Sequence, residues 1–381
     1  MSAIQAPIVP VIGDLIRQNP GTISLGQGVV SYGPPQAALD AVRDALTDPE
    51  THGYHDGPGT PSLLAAIADK LRRENGIDVN GGSRVTVTAG ANMAFVHAIS
   101  AITEPGDDVV LPVPYYFNYD MAIEMMGCRV VKVPTDTQYQ LDVEAIRRAI
   151  TPRTRAIVTV TPNNPTGAVY PEAALRAVNQ LCAERGLYHI SDEVYEYFTY
   201  DGVRHVSPGA FDGASTYTIT LFSLSKAYGF AGWRIGYLVY PDHLADAIAK
   251  IQDTVLVCAP VISQAAATAA LGVGRQYCQQ HVHALSEIRH LVIAQLRTLE
   301  PLCTVPPAEG AFYCFLRVNA TADPMTVTER LIREHRVAIV PGHAFGMTDG
   351  CYFRVAYGAL QKDTVAEGIG RLVRGLGQVL G

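Results

Sequence analysis

Apolar positions along the chain fall into two textures. Between residues 84 and 240, short β-branched runs recur: RVTVT (84–88), DVVLPV (108–113), RVVKV (129–133), RAIVTV (155–160), LYHIS (187–191), TYTITLF (216–222) and IGYLVY (235–240). Several are apolar without alternation, which is the pattern of strands covered on both faces. Helical periodicity fills the gaps, as in Ala91 to Thr103, Asp142 to Ile150 and Pro171 to Glu184. Strands alternating with helices predict an α/β fold, a mostly parallel seven-stranded sheet flanked by helices. After Gly274 the texture changes to a long helical stretch, roughly Gln276 to Leu299, followed by AFYCFLRV, a helix near Val327 to His335, AIVPG, YFRVAYG and a last helix. This predicts a smaller α+β domain. The expected division is a large domain over 41–275 and a small one built from 1–40 and 276–381.

Composition narrows the function. A chain of 381 residues that is 48% hydrophobic can bury a sizeable core. A net charge of −7 with no run of Lys or Arg argues against a nucleic-acid surface or a polybasic membrane patch. The opening MSAIQAPIVPVIGDLIRQNPG lacks a basic stretch followed by a long apolar core, and no apolar run is long enough to span a bilayer. A cytoplasmic protein is therefore expected. The seven cysteines form no C-x-x-C pair, and His281-x-His283 has no further ligand at metal-binding spacing, so reduced thiols and no metal are expected.

Candidate chemistry lies just after the strand-like runs, where open α/β sheets bind ligands. AGANMAF follows the first run, a small-residue turn opening a helix that can offer backbone N–H groups to a phosphate. PYYFNY brings Tyr116, TPNNPTG brings Asn164, and SDEVYEY brings Asp192 and Tyr195. SLSKAYGFAGWR brings Ser223, Ser225, Lys226 and Arg234. Each alone has an ordinary structural explanation, such as a cap, a packing ring or a surface lysine. Together they suit one ligand, pyridoxal 5′-phosphate. The lysine would hold its aldehyde covalently as an aldimine, the carboxylate would keep the pyridine nitrogen protonated, and the hydroxyls and arginine would hold its phosphate. GFAGWRIG does not lie at a strand-to-helix turn, so no dinucleotide fingerprint is indicated.

NNPTG, SDEVY, SLSKAYGFAGWRIGYL and the late PGHAFG and YFRVAYG together resemble the class I/II aminotransferases of the aspartate aminotransferase superfamily, PLP fold type I. The resemblance runs in order from SLGQG (24–28) to the last helix. It implies that Lys226 is the cofactor-binding lysine, that Asp192 pairs with the pyridine nitrogen, and that Asn164 and Tyr195 hydrogen-bond the ring oxygen. It also implies that Tyr116 stacks on the ring and that Ala91, Asn92, Ser223, Ser225 and Arg234 hold the phosphate. Arg354 would bind the substrate α-carboxylate near Gly26. Tyr54 would reach the phosphate of a neighbouring subunit, which makes the expected assembly a homodimer with composite sites. The implied activity moves an amino group between an L-amino acid and a 2-oxo acid in a ping-pong cycle.

The substrate side chain is read from an absence and a cluster. Members resembling aspartate aminotransferase itself bind a second carboxylate with an arginine between the lysine segment and the long helix. From Ile235 to Gly274 this chain has no arginine, and Lys250 is the only Lys or Arg there. Val29, Val30, Tyr32, Tyr115 and Phe117 fall near the expected mouth, so a neutral or aromatic side chain is favoured over a dicarboxylate. One alternative is a PLP-dependent lyase or synthase on the same fold, a carbon–sulfur β-lyase or a biosynthetic cyclase, which would keep Lys226, Asp192 and Arg354. Another is a ligand-sensing domain of a regulator. The expectation that the chain starts at the fold, without a basic DNA-binding extension, weighs against it.

Overall fold

The computed structural model describes residues 4–380. Its large sheet has seven strands: β1 (Ser83–Thr88), β2 (Asp108–Val113), β3 (Arg129–Pro134), β4 (Thr154–Val160), β5 (Tyr188–Asp192), β6 (Thr218–Ser223) and β7 (Gly236–Pro241). Their spatial order is β1-β7-β6-β5-β4-β2-β3. All pairings are parallel except those of β7, which runs antiparallel to both β1 and β6. The alternation of side chains splits the sheet's two cores. Val109, Leu111, Ala156 and Val158 face one side with Phe95 and Leu238, whereas Val110 and Ile157 face the other with Val178 and Leu181. Both faces are therefore apolar, as the unbroken runs predict.

The reversed strand decides where the chemistry lies. A parallel crossover must carry the chain back along the full strand, usually through a helix. An antiparallel neighbour removes that need, so the chain leaves β6 and enters β7 at the same edge of the sheet. Residues 224–235 consequently stay at that edge, which is where the carboxyl ends of β4, β5 and β6 open.

The C-terminal part forms a four-stranded antiparallel sheet in the order Val340–Pro341, Cys351–Ala356, Tyr313–Val318 and Cys303–Thr304. The helices Gln276–Arg297 and Lys362–Leu380 pack together beside it. The N-terminal segment joins this region: Ile23 and Ser24 pair in parallel with Val337 and Ala338. The helix expected near Val327 begins earlier, at Pro324, because Asp323 caps it by accepting from the Thr326 N–H at 2.7 Å and Pro324 fits the first turn. Among the described residues, no helix is long and apolar enough to cross a membrane, and no cluster of His, Cys, Asp and Glu has metal-binding geometry.

Candidate active site

A cleft of about 190 Å³ opens at the carboxyl ends of the central strands. Ala91, Asn92, Tyr116, Asn164, Asp192, Tyr195, Ser223, Ser225, Lys226, Arg234 and Arg354 all line it. Eleven of the thirteen residues expected to hold cofactor or substrate carboxylate thus share one cavity. Gly26 sits one bond away, its carbonyl accepting from Arg354 Nη2 at 2.6 Å. Tyr54 stands apart and is 88% exposed on this chain.

The anion-binding end is built by close backbone approach. Ser223 ends β6 and its hydroxyl accepts from the Ser225 N–H at 3.1 Å, turning the chain into the short helix that carries Lys226. Gly236, at the start of β7, lies so near that a Cβ there would meet Phe222 O at 2.7 Å and the Ala91 N at 3.0 Å. Only glycine lets β7 deliver Arg234 beside the N-terminus of helix Ala91–Ile102. Arg234 itself adopts a left-handed backbone, φ 52°, a conformation that is uncommon for non-glycine residues. Its guanidinium donates to the carbonyls of Ala231 and Ala89, and no carboxylate among the described residues pairs with it. Positive charge, two hydroxyls and a helix N-terminus converge there, which is the donor set a phosphate ester needs.

Charge in the middle of the cleft is held off balance. Asp192, at the end of β5, is buried and accepts from Tyr119 Oη at 2.5 Å and from the Val194 N–H at 3.0 Å. Burial pushes its carboxyl up to about 6, against the pull of those two donors. Lys226 is pushed down to about 8, first by burial and then by the cations of Arg234 and Arg354. Arg354 comes from the C-terminal sheet, is buried, and donates to Asn164 Oδ1 at 2.9 Å as well as to Gly26. Its Nε–H has no partner although it is buried. A buried guanidinium with an unused donor and no carboxylate is suited to an incoming one.

These features fit pyridoxal phosphate: an amine able to deprotonate near neutrality, a buried acid without a cation, and a donor cradle at the far end. Tyr195 and Asn164 are buried beside them, and Tyr116 borders the cleft, in edge contact with Tyr119 at 5.3 Å.

Val9, Gly28, Tyr119, Val194 and Tyr313 also line the cleft without having been indicated by the sequence. Tyr119 lies one turn into the helix that Tyr116 caps, in edge contact with Tyr116. Tyr313 needs the pairing of its strand with that of Arg354, which no single run reveals. Conversely, of the five residues expected at the mouth only Phe117 lines the cleft. Tyr115 is buried elsewhere in the core, and Tyr32 donates to the Lys226 carbonyl at 2.7 Å, bracing the lysine's backbone from behind.

Comparisons with known proteins identify the family. The family model "Aminotransferase class I and II" matches residues 20–372, and the chain belongs to that family of pyridoxal-phosphate-dependent aminotransferases. Among curated relatives, an aromatic aminotransferase of Arabidopsis thaliana is 36% identical, with 98% of this chain and 94% of that protein covered. A probable aspartate/prephenate aminotransferase of Aquifex aeolicus is 35% identical over 94% of this chain and 91% of its own length. Among solved structures, a single mutant of the Thermus thermophilus aspartate aminotransferase superposes with a TM-score of 0.90 at 32% identity, covering 98% of each chain. The protein is an aminotransferase acting on amino acids and 2-oxo acids.

Proposed function

We propose that this aminotransferase works by a ping-pong cycle on L-amino acids with neutral, and in particular aromatic, side chains. The observation that carries the substrate reading is the distribution of charge in the cleft. Among the described residues lining it, the only cations are Lys226, Arg234 and Arg354, and each already has a task. The remaining wall includes Val9, Tyr116, Phe117, Tyr119 and Tyr313, apolar bodies with a few hydroxyls. A second carboxylate would enter with no counter-charge from this chain, a costly desolvation, whereas a ring would bury apolar area.

The roles follow from chemistry. Bound pyridoxal phosphate supplies an electron-accepting ring and a carbonyl carbon that carries the amino group between substrates. Arg354 holds the substrate α-carboxylate through a planar fork that Asn164 and the Gly26 carbonyl orient. Asp192, ionised once a ring N–H faces it, keeps that proton in place. Lys226, with its basicity brought near neutral pH, takes the proton from the substrate Cα and returns it at the carbon receiving the amino group. Tyr195 and Asn164 donate to the ring oxygen, Tyr116 covers the ring, and Ala91, Asn92, Ser223, Ser225 and Arg234 hold the phosphate. Tyr54, exposed here, reaches the partner's phosphate in a homodimer. We also propose the division into 41–275 and 1–40 with 276–381, and a cytoplasmic location. No observation favours a lyase or synthase.

The test is a set of half-reactions: purified holoenzyme receives one amino acid at a time without oxo acid, and its absorbance is followed. Phenylalanine, tyrosine and neutral aliphatic amino acids should convert the chromophore at least tenfold more efficiently than aspartate. Faster conversion by aspartate would overturn the substrate reading, and release of pyruvate with ammonia would replace transfer by elimination.

A further inference from the structure

Tyr313 occupies a position that links the two halves of the cleft. It opens strand Tyr313–Val318, where Tyr313 pairs with Ala356 and Phe315 with Arg354. Alternation puts Tyr313 on the same face as Arg354, one diagonal step away. The Arg354 guanidinium accordingly sits over the Tyr313 ring, 4.8 Å from its centre. At its other end, Tyr313 Oη lies 2.6 Å from Tyr195 Oη, with both residues buried. Room for that hydroxyl comes from Gly28, where a Cβ would stand 2.5 Å from it.

A proton count then assigns direction. A tyrosine hydroxyl has one hydrogen to donate. If Tyr195 spends its hydrogen on the ring oxygen of the cofactor, the short contact to Tyr313 must be carried by the hydrogen of Tyr313. The guanidinium over the Tyr313 ring withdraws electron density from that phenol and strengthens it as a donor. Donation into Tyr195 polarises Tyr195 in turn, so its bond to an electron-rich ring oxygen tightens.

We propose that Tyr313 is a positioning residue that donates to Tyr195, strengthens its hold on the cofactor ring oxygen, and couples that hold to Arg354. The inference rests on the reading that Tyr195 faces that oxygen.

The experiment is a pH titration of the bound cofactor's visible absorbance in holoenzyme carrying Tyr313→Phe, Tyr195→Phe or both. Donation to the ring oxygen favours the deprotonated chromophore, so losing it raises the midpoint. Tyr313→Phe should raise the midpoint by about 0.3 pH unit, the size of cooperative strengthening across one bond. Tyr195→Phe should raise it further, and the double variant should match Tyr195→Phe alone. An unmoved midpoint in Tyr313→Phe while Tyr195→Phe shifts would overturn the relay, as would a Tyr313 effect that persists in the Tyr195→Phe background. No shift in Tyr195→Phe would instead remove Tyr195 from the ring oxygen, and the relay with it. Because phenylalanine keeps the ring under Arg354, affinity for 3-phenylpropionate should stay within twofold. A tenfold loss would locate the effect on the arginine and also overturn the proposal.

Discussion

The two ends of the seven-stranded sheet both carry buried aspartate and treat it in opposite ways. At the amino end, Asp108 begins β2 and accepts from Arg129 Nε at 2.7 Å, Arg129 Nη2 at 2.6 Å and Thr151 Oγ1 at 2.5 Å. The Arg129 guanidinium leads in holding its carboxyl below the usual range. At the carboxyl end, Asp192 has hydrogen bonds but no bonded cation, and burial lifts it to about 6. One end spends its charges on each other. The other keeps an acid, an amine and two arginines unneutralised by one another, which is how a site keeps groups available for a ligand.

Removing Lys226 gives the sharpest form of that contrast. Lys226→Ala should end covalent attachment of the cofactor and lower transamination by about 10²- to 10⁴-fold. A retained chromophore band with normal turnover would place the lysine at the structural end of the comparison. Asp192→Asn tests the acid. It should lower kcat/KM by about 10- to 100-fold, as expected for losing a charge-assisted bond, yet stabilise the cofactor-free chain at pH 7 by about 2 kcal/mol.

The sign of that stability change follows from the direction of the shift. Asp192 is harder to ionise folded than unfolded, so its contribution is fully present below about pH 4 and is lost as pH rises through about 6. Urea unfolding of the cofactor-free protein from pH 4 to 7 should therefore show a decline that the Asn variant lacks. The smallest effect belongs to Asp108→Asn. Asp108 is depressed, so what it contributes is present above about pH 4 and lost on acidification. Its variant should melt a few degrees lower at pH 7, lose less on acidification, and keep kcat/KM within twofold. A large catalytic defect would erase the distinction between the two ends.

Much of this architecture is legible along the chain because both faces of the central strands are covered, which turns them into nearly unbroken apolar runs with the candidate chemistry at one end. Asn164, Asp192 and Lys226 follow directly from that rule. The direction of β7 is not legible in this way: IGYLVY reads the same in either orientation, and only the short passage through 224–235 hints at reversal. Tyr313 escaped for a related reason, because its importance comes from a diagonal neighbour across a sheet and from a hydroxyl 118 positions away in the chain. Tyr115 lies away from the mouth because it precedes the helix that Phe117 begins, where the chain turns from extended to helical. Phe117 faces the cleft while Tyr115 packs against the sheet.

Arg354 also sets an order of events during synthesis. Its two hydrogen-bonded partners, Gly26 and Asn164, are made 328 and 190 positions earlier. The last strand of the large sheet ends at Pro241, so that sheet can close while the C-terminal strands are still unmade. At about 5–20 residues/s on the ribosome, Arg354 emerges several seconds later. During that interval a nascent chain has Lys226 and Asp192 but lacks the guanidinium of Arg354, and Ile23 and Ser24 have no Val337 and Ala338 to pair with. The residues made after Pro241 thus complete the wall of the cleft last, since they supply both Tyr313 and Arg354.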